Sequence, residues 1–377
     1  MCLPNVFLIG ASKAGTTSLV DYLANTTGVH FVQRGIHKFD KHNEIHRFDR
    51  SSYSGNWKSI ELYHEWASSP VVPSVHEIVV HYTPHYLYAP TVPFEIATFY
   101  PSNKEMYFIS LLRDPVERMV SSYWFKNSHL FQGTDRGSAE NFELVYSSQV
   151  KKRADFEFCV GKGISEFLKI HQKPAMVPEF CSSAEKASRG ITCRYIRVTL
   201  LLLDLFFECH GVNDHHGNWA ENNRTASPFL TFRCQRRTRS PGLSTGREAL
   251  RRSLEHCFGD RLRHRSLGWD HLDKSIYFDQ LVRWLMNFPH PADFLFVRSE
   301  EFFARPRETV ARLLTEHLRP RFPHSTASPN LANWSSEVKR LHRPNALAVD
   351  QQLSTQQIAK LREFFSLYNR ALFSLLS

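Results

Sequence analysis

Residues 5–18 read NVFLIGASKAGTTS, and this stretch decides the fold. Asn5–Gly10 is a short apolar run that ends in glycine, and it predicts a strand. Thr16–Asn25 then predicts an amphipathic helix. A glycine-containing loop between a strand and a helix turns backbone N–H groups toward an anion, and the helix dipole adds to the attraction. The stretch therefore predicts a phosphate-binding loop.

The side chains of this loop also suit an anion. Lys13 supplies a mobile positive charge, and the hydroxyl groups nearby supply hydrogen-bond donors. The loop departs from the nucleoside triphosphatase pattern G-x-x-x-x-G-K-[ST], because a threonine follows the second glycine directly and the lysine comes earlier. A glycine-rich turn with a capping serine or threonine is the structural alternative. The candidate anion-binding residues are Ser12, Lys13, Ala14, Gly15, Thr16, Thr17 and Ser18.

Strand and helix patterns alternate outward from this loop. Apolar strand patterns recur at 76–82, 105–112 and 293–297, and helical patterns occur at 274–288, 307–318 and 354–376. This alternation is typical of an α/β fold with a central parallel sheet flanked by helices. Residues 181–265 lack a sustained period, so we expect an irregular insertion or a poorly ordered segment there. A wrongly translated intron is the alternative for that segment.

Composition limits the class of protein. The chain has 377 residues, of which 42% are hydrophobic and 22% charged, which suits a packed core. Its formal net charge of +10 favours an anionic partner, such as nucleic acid, a membrane surface, a phosphate or sulfate donor, or an acidic polysaccharide. The seven cysteines show no CxxC pair and no zinc spacing, so we expect no metal site. No apolar run approaches the roughly 20 residues of a membrane span.

A second motif follows the strand pattern at 105–112. Residues 111–123 read LLRDPVERMVSSY. Arg113 leaves the strand end, where its guanidinium can bind a phosphate through two hydrogen bonds. Asp114 and Pro115 predict a helix start, and Ser121 lies two turns along on the same side. The two motifs together resemble those of sulfotransferases that use 3′-phosphoadenylyl sulfate (PAPS). In that family the first loop binds the 5′-phosphosulfate and the second motif binds the 3′-phosphate.

The resemblance covers about residues 4–175 and 268–377, and it includes an element that activates the acceptor. Residues 41–49 read KHNEIHRFD and resemble the K-E-x-H-F-F-D element of glycosaminoglycan sulfotransferases, with departures at Asn43 and Arg47. The resemblance implies Glu44 as the general base, with His46 and Asp49 as groups that contact or orient the acceptor. A solvated polar loop is the alternative for this stretch.

Two further positions resemble the family less closely. His81 stands where the family has lysine, and if that lysine contacts the donor or acceptor we expect His81 to make the contact weaker and pH-dependent. Before the last predicted helix, the sequence KRLHRP occupies the place of a basic loop over the 3′-phosphate. The candidates there are Lys339, Arg340 and Arg343.

The resemblance implies one P-loop-kinase-like α/β domain over 1–377, with PAPS as co-substrate and no metal. Lys13 and Glu44 would be catalytic, and the acceptor would be an anionic polysaccharide or another carbohydrate, not nucleic acid. The Golgi lumen is the implied location, although we recognise no anchor or signal peptide in this chain. Two alternatives remain. A catalytically impaired glycan- or nucleotide-binding relative is favoured by Asn43 and His81, whereas a P-loop kinase would need lysine at position 16.

Overall fold

A computed structural model describes the following residues: 3–32, 48, 78–100, 105–130, 139–170, 191–196, 198–200, 207–208, 229–230, 235–236, 250–254, 256–257, 271–288, 293–325 and 353–376. The chain divides into two compact units, each built from separate stretches of sequence. Unit 1 comprises Met1–Arg113, Val212–Thr231 and Ala292–Ala346, and unit 2 comprises Asp114–Gly211, Phe232–Pro291 and Leu347–Ser377. The single-domain interpretation of 1–377 stays a prediction.

The labelled elements follow in chain order: β1 (Val6–Gly10), α1 (Thr16–Ala24), β2 (Val29–Phe31), β3 (Ile78–Tyr82), α2 (Val92–Phe99), β4 (Tyr107–Leu112), α3 (Pro115–Leu130), α4 (Ala139–Ile170), β5 (Phe207–Glu208), β6 (Phe229–Leu230), β7 (Gln235–Arg236), α5 (Tyr277–Asn287), β8 (Phe294–Arg298), α6 (Ser299–Ala304), α7 (Pro306–Arg312), α8 (Arg319–Arg321) and α9 (Thr355–Leu376). A 3₁₀ turn at Asp273–Ser275 precedes α5, and a π-helical stretch at Leu313–Leu318 joins α7 to α8.

Unit 1 contains a sheet with the strand order β2-β3-β1-β4-β8-β6. The first five strands of this order run parallel, and β6 pairs antiparallel with β8. All residues of β1, β3 and β4 are buried. Apolar strands without alternation are expected in a parallel sheet whose two faces are covered. The predicted α/β fold with a central parallel sheet flanked by helices is therefore confirmed.

The centre of the sheet is packed with aromatic side chains. Phe7 of β1 lies opposite His81 of β3 and Phe108 of β4 in the strand register. The Phe7 ring stacks on His81 at 5.4 Å between centroids, and Phe108 stacks on Phe294 of β8 at 5.1 Å. Aromatic rings of this size bury a large apolar area, so these contacts fix the middle strands of the sheet side by side.

Parts of the segment at 181–265 are regular and packed, although the sequence predicts an irregular region. Residues 191–196, 198–200, 250–254 and 256–257 are helical. Tyr195, Ile196 and Leu254 are buried within unit 2. A disulfide joins Cys257 to Cys159 of α4, 98 residues away. These residues are part of the folded body of unit 2, and the interpretation of the whole segment as an insertion stays a prediction.

Unit 2 is organised around a buried arginine, Arg153 of α4, which is only 4% exposed. Its Nε donates a 2.8 Å hydrogen bond to Glu157, and its guanidinium forms an ion pair with Asp279 of α5. The same guanidinium lies over the rings of Tyr195 and Tyr368, at 5.2 Å from each centroid. One cation therefore links α4, α5, α9 and the helical residues near 195.

The carboxylate of Glu157 accepts hydrogen bonds from three residues. Besides Arg153, it accepts hydrogen bonds from the hydroxyl of Thr192, at 2.7 Å, and from that of Tyr368. Burial raises the pKa of Glu157, and the charge of Arg153 opposes that rise. Burial alone would lower the pKa of Arg153, but Asp279 and its other anionic neighbours hold it well above the ordinary value. The charges of Arg153 and Glu157 therefore each offset part of the cost of burying the other.

We predict that Arg153→Met lowers the free energy of unfolding by about 3–5 kcal/mol, because it leaves buried carboxylates without their cation. Equilibrium urea unfolding followed by circular dichroism measures this change. Arg312→Met is the matched control. Arg312 pairs with Glu316 at 3.1 Å, and both side chains are partly exposed, so its loss is expected to cost about 1 kcal/mol or less. Equal losses in the two variants would contradict the structural role of Arg153.

Candidate active site

A tight loop connects the central strand β1 to helix α1. The Ala11 N–H donates to the Leu111 carbonyl of β4 at 2.8 Å, and the Ala14 N–H donates back to the Ala11 carbonyl at 3.1 Å. Lys13 lies within the turn that the second bond closes, and its φ is +72°. A positive φ is unusual for a residue with a side chain, and it is found most often in turns and at functional sites.

Gly15 ends the loop in a conformation that suits glycine. Its φ is +97°, and a Cβ atom built there would lie 2.5 Å from Cζ of Phe303 in α6. Both the backbone angle and the close aromatic ring therefore exclude a larger residue. The turn therefore depends on a glycine at position 15.

Gly15 is also the N-cap of α1, and no side chain caps this helix. The cap is therefore a glycine and not a serine or threonine, and the assignment of the loop to anion binding stays a prediction. The N–H groups of the first helical turn have no acceptor inside the helix, which leaves Thr16, Thr17 and Ser18 at the positive end of the helix dipole. Thr16 is buried, whereas Thr17 and Ser18 are half-buried. This arrangement suits a bound anion.

The structure brings together two predicted residues that are 100 positions apart. Arg113 directly follows β4, and its Nη1 donates to the carbonyl oxygen of Lys13 at 3.3 Å. Both residues are half-buried. Because β1 and β4 are parallel neighbours, the residues that follow them meet at the same edge of the sheet. Two cationic residues thus lie at the carboxyl edge of unit 1, beside the uncapped end of α1.

The helix after Arg113 begins as predicted. Asp114 Oδ1 accepts hydrogen bonds from the N–H groups of Val116 and Glu117, each at 3.0 Å, and Pro115 is the first helical residue. Ser121 is half-buried on this helix, in unit 2, and its contact with a ligand stays a prediction. Arg118 is fully buried and donates to Ser275 Oγ at 2.8 Å, which makes it a core residue of unit 2.

Six predicted site residues lie outside the described residues. They are Glu44, His46 and Asp49 of the acceptor element, and Lys339, Arg340 and Arg343 of the basic loop. One residue of the acceptor element is described. Phe48 is 1% exposed, its N–H donates to the Tyr86 hydroxyl at 3.0 Å, and its ring contacts that of Phe99 at 5.6 Å. The element therefore has a buried anchor within unit 1.

The expectation for His81 is wrong. Its side chain is completely buried, and its Nε2 lies 2.9 Å from the Tyr86 hydroxyl. Because successive residues of a strand point to opposite faces, the next residue faces the other way. That residue is Tyr82, whose hydroxyl lies 3.4 Å from Thr17 Oγ1. His81 is thus a core residue, and Tyr82 is the residue of β3 that contacts the loop.

Unit 2 contains a cavity of about 930 Å³ lined by α4, α9 and residues 191–195. Arg153 and Glu157 form part of its wall, but both are occupied by each other and by their buried neighbours. The predicted site residues that the structure describes do not line this cavity. Across the described ranges, no cluster of three or more His, Cys, Asp or Glu side chains could hold a metal ion.

The structure defines an α/β protein in which a glycine-containing loop with the geometry of an anion site follows the central strand. No family model matches the chain. A membrane-associated sulfotransferase of Dictyostelium discoideum, kil1, is 26% identical over 317 residues. The match covers 83% of this chain and 55% of kil1, so the chain spans about half the length of that relative. This similarity supports a place for the chain in the sulfotransferase family.

One solved structure is a distant match. A sulfotransferase from Alicyclobacillus acidocaldarius aligns with 100% of this chain and 96% of its own, with a TM-score of 0.45 and 14% identity. A match this distant carries no functional information. Within the described part of the chain, the helices are too short or too polar to span a bilayer.

Proposed function

We propose that this chain transfers a sulfuryl group from PAPS to a hydroxyl or amino group of a carbohydrate, with a glycosaminoglycan-like polysaccharide as acceptor. The observation that carries the proposal is the pairing of Lys13 with Arg113 beside the uncapped start of α1. Positive charge and exposed N–H donors of this kind suit a donor that carries a 5′-phosphosulfate and a 3′-phosphate. The sequence similarity to kil1, a sulfotransferase, supports the same reaction class.

The loop serves the 5′ end of the donor in this proposal. The first-turn N–H groups of α1 bind the phosphosulfate, and the Thr17 and Ser18 hydroxyls add donors. Lys13 stabilises the negative charge that develops on the bridging oxygen as the bond to sulfur breaks. The backbone angle of Lys13 sets the direction in which its flexible side chain leaves the turn.

Arg113 serves the 3′-phosphate. Its guanidinium carries five N–H donors in a planar fork, a geometry that suits two oxygens of one phosphate. Ser121 would add a hydroxyl donor, and Lys339, Arg340 and Arg343 would add positive charge. These four assignments rest on the sequence resemblance.

Glu44 is the general base of the proposed reaction. It takes the proton of the acceptor hydroxyl, the acceptor oxygen attacks sulfur in line, and the bond between sulfur and the bridging oxygen breaks. The products are a sulfate ester and adenosine 3′,5′-bisphosphate. His46 and Asp49 contact or orient the acceptor. These three assignments rest on the sequence resemblance.

The proposed location is the Golgi lumen. Cys159 and Cys257 form a disulfide, and Cys193 is also disulfide-bonded. Disulfides persist in oxidising compartments and are rare in the cytosol. The net charge of +10 suits an anionic donor together with an anionic polysaccharide.

Calorimetric titration with adenosine 3′,5′-bisphosphate, followed by a transfer assay with labelled PAPS and a panel of polysaccharides, tests the proposal. Binding together with transfer is the expected result. Binding without transfer to any acceptor would instead favour the catalytically impaired relative. Transfer of phosphate from ATP in the absence of PAPS would favour the kinase.

We predict that Lys13→Ala lowers turnover roughly 10²–10³-fold, because the lysine acts on charge that appears in the transition state. Affinity for the bisphosphate product should change only modestly. Steady-state kinetics and calorimetry measure the two effects, with Lys151→Ala, at an exposed position of α4, as the control. A Lys13→Ala variant that keeps more than about half of the wild-type turnover would remove Lys13 from the mechanism.

Arg113→Ala is expected to weaken binding of adenosine 3′,5′-bisphosphate by about 10- to 100-fold, the effect of a lost charge-assisted hydrogen bond. Binding of adenosine 5′-phosphate, which lacks the 3′-phosphate, should weaken much less. Arg305→Ala is the control, because its side chain is 72% exposed. Equal losses for the two nucleotides would mean that Arg113 only supports the loop.

Glu44→Gln keeps the shape of the side chain but cannot accept a proton. We predict normal binding of the bisphosphate and a loss of about 10²–10⁴-fold in turnover, the usual contribution of a positioned base. Asp49→Asn should cost less, and Glu105→Gln, at an exposed site before β4, should cost nothing. An active Glu44→Gln variant beside an inactive His46→Ala variant would assign the base to His46.

A further inference from the structure

The loop between β1 and α1 also accepts a hydrogen bond from a side chain at the junction of β8 and α6. Ser299 comes directly after β8 and is the first residue of α6. Its side chain is completely buried, and its hydroxyl donates to the carbonyl oxygen of Ala14 at 2.7 Å. The two residues are 285 positions apart. This bond connects the loop to the β8–α6 junction.

The bond also determines where the next N–H group points. The Ala14–Gly15 peptide is trans, and in a trans peptide the carbonyl and the following N–H point in opposite directions. With its carbonyl directed at Ser299, this peptide must direct the Gly15 N–H to the other side. Among the described residues, no acceptor bonds to that N–H. It therefore joins the first-turn N–H groups of α1 as a donor for an anion.

Helix α6 makes two further contacts with the same region. The Phe303 ring lies against Gly15, where it leaves no room for a Cβ atom. The Phe302 ring meets Tyr22 of α1 edge to face, with centroids 6.2 Å apart. Because rigid packing surrounds the Ser299 bond, loss of the hydroxyl would free one peptide without unfolding the helix. The effect should therefore be local to the loop.

We propose that Ser299 is a positioning residue for the anion site: by holding the Ala14 carbonyl, it aims the Gly15 N–H at the 5′-phosphate of the donor. This inference rests on the proposed function, because the anion is taken to be the 5′-phosphate of PAPS or its product. A purely structural serine would affect all ligands alike. A positioning serine affects only ligands that carry the 5′-phosphate.

The test compares two nucleotides that differ only in that group. Calorimetry measures the affinities of adenosine 3′,5′-bisphosphate and of adenosine 3′-phosphate, and their ratio reports the contribution of the 5′-phosphate. Ser299→Ala should lower the ratio about three- to tenfold, the effect of one hydrogen bond. Ser299→Thr, which keeps the hydroxyl, should retain the wild-type ratio.

Thr26→Val is the matched control. The Thr26 hydroxyl is also buried and donates to a backbone carbonyl, that of Tyr22, at 3.1 Å, at the end of α1 remote from the loop. Its loss should lower thermal stability but leave the ratio of affinities unchanged. Melting temperatures of all variants, measured by calorimetry, separate lost stability from lost positioning.

An unchanged ratio in Ser299→Ala would overturn the inference, and so would an equal fall of the ratio in Ser299→Thr, because the hydroxyl would then not be the cause. If Ser299→Ala leaves the ratio unchanged while the wild type prefers the bisphosphate, only this inference fails. A wild type that binds the two nucleotides equally would overturn both this inference and the proposed site of the 5′-phosphate.

Discussion

The parallel pairing of β1 with β4 is the interaction on which the candidate site depends. It places the ends of the two strands at one edge of the sheet, so that the loop after β1 meets the residue after β4. The backbone continues this pairing beyond the strand, since the Ala11 N–H donates to the Leu111 carbonyl. The contact between Arg113 and Lys13 then follows from the register of the strands.

Around this pairing, the loop is fixed by its neighbours on several sides. The carbonyls of Lys13 and Ala14 accept hydrogen bonds from different elements, namely the end of β4 and the start of α6. The Phe303 ring lies so close to Gly15 that a Cβ atom at that position would overlap it. With both carbonyls directed at protein donors, the loop can present N–H groups to a ligand, and an anion meets few carbonyl dipoles. The packing around the loop thus determines which backbone groups face a ligand, and through them the electrostatic potential of the site.

Local patterns in the sequence predicted the sheet, the loop and the helix start at Pro115, because each depends on residues that are close in the chain. Lys13 and Arg113 could be paired only through the family resemblance, which links two separate motifs. Ser299, Phe303 and Tyr82 had no such signal, since their roles arise from contacts across the fold. His81 was misassigned because its position in a motif gave no information about which face of β3 it occupies. The buried network of Arg153 was also missed. A charged residue on a helix is usually exposed, so the local sequence predicts a surface position for it.

Each unit is assembled from stretches that are far apart in the sequence, and this affects the order in which the nascent chain can fold. Unit 2 needs residues 347–377, because Tyr368 of α9 completes the hydrogen bonds of Glu157. Unit 1 needs residues 292–346, which supply β8 and Ser299. Each unit can therefore complete its folding only after its last stretch has been synthesised, unlike a domain built from one continuous stretch. Strands β1 to β4 can pair with one another early, but the edge of β4 that pairs with β8 stays uncovered until Phe294–Arg298 has been made, so the yield in cells should depend on chaperones.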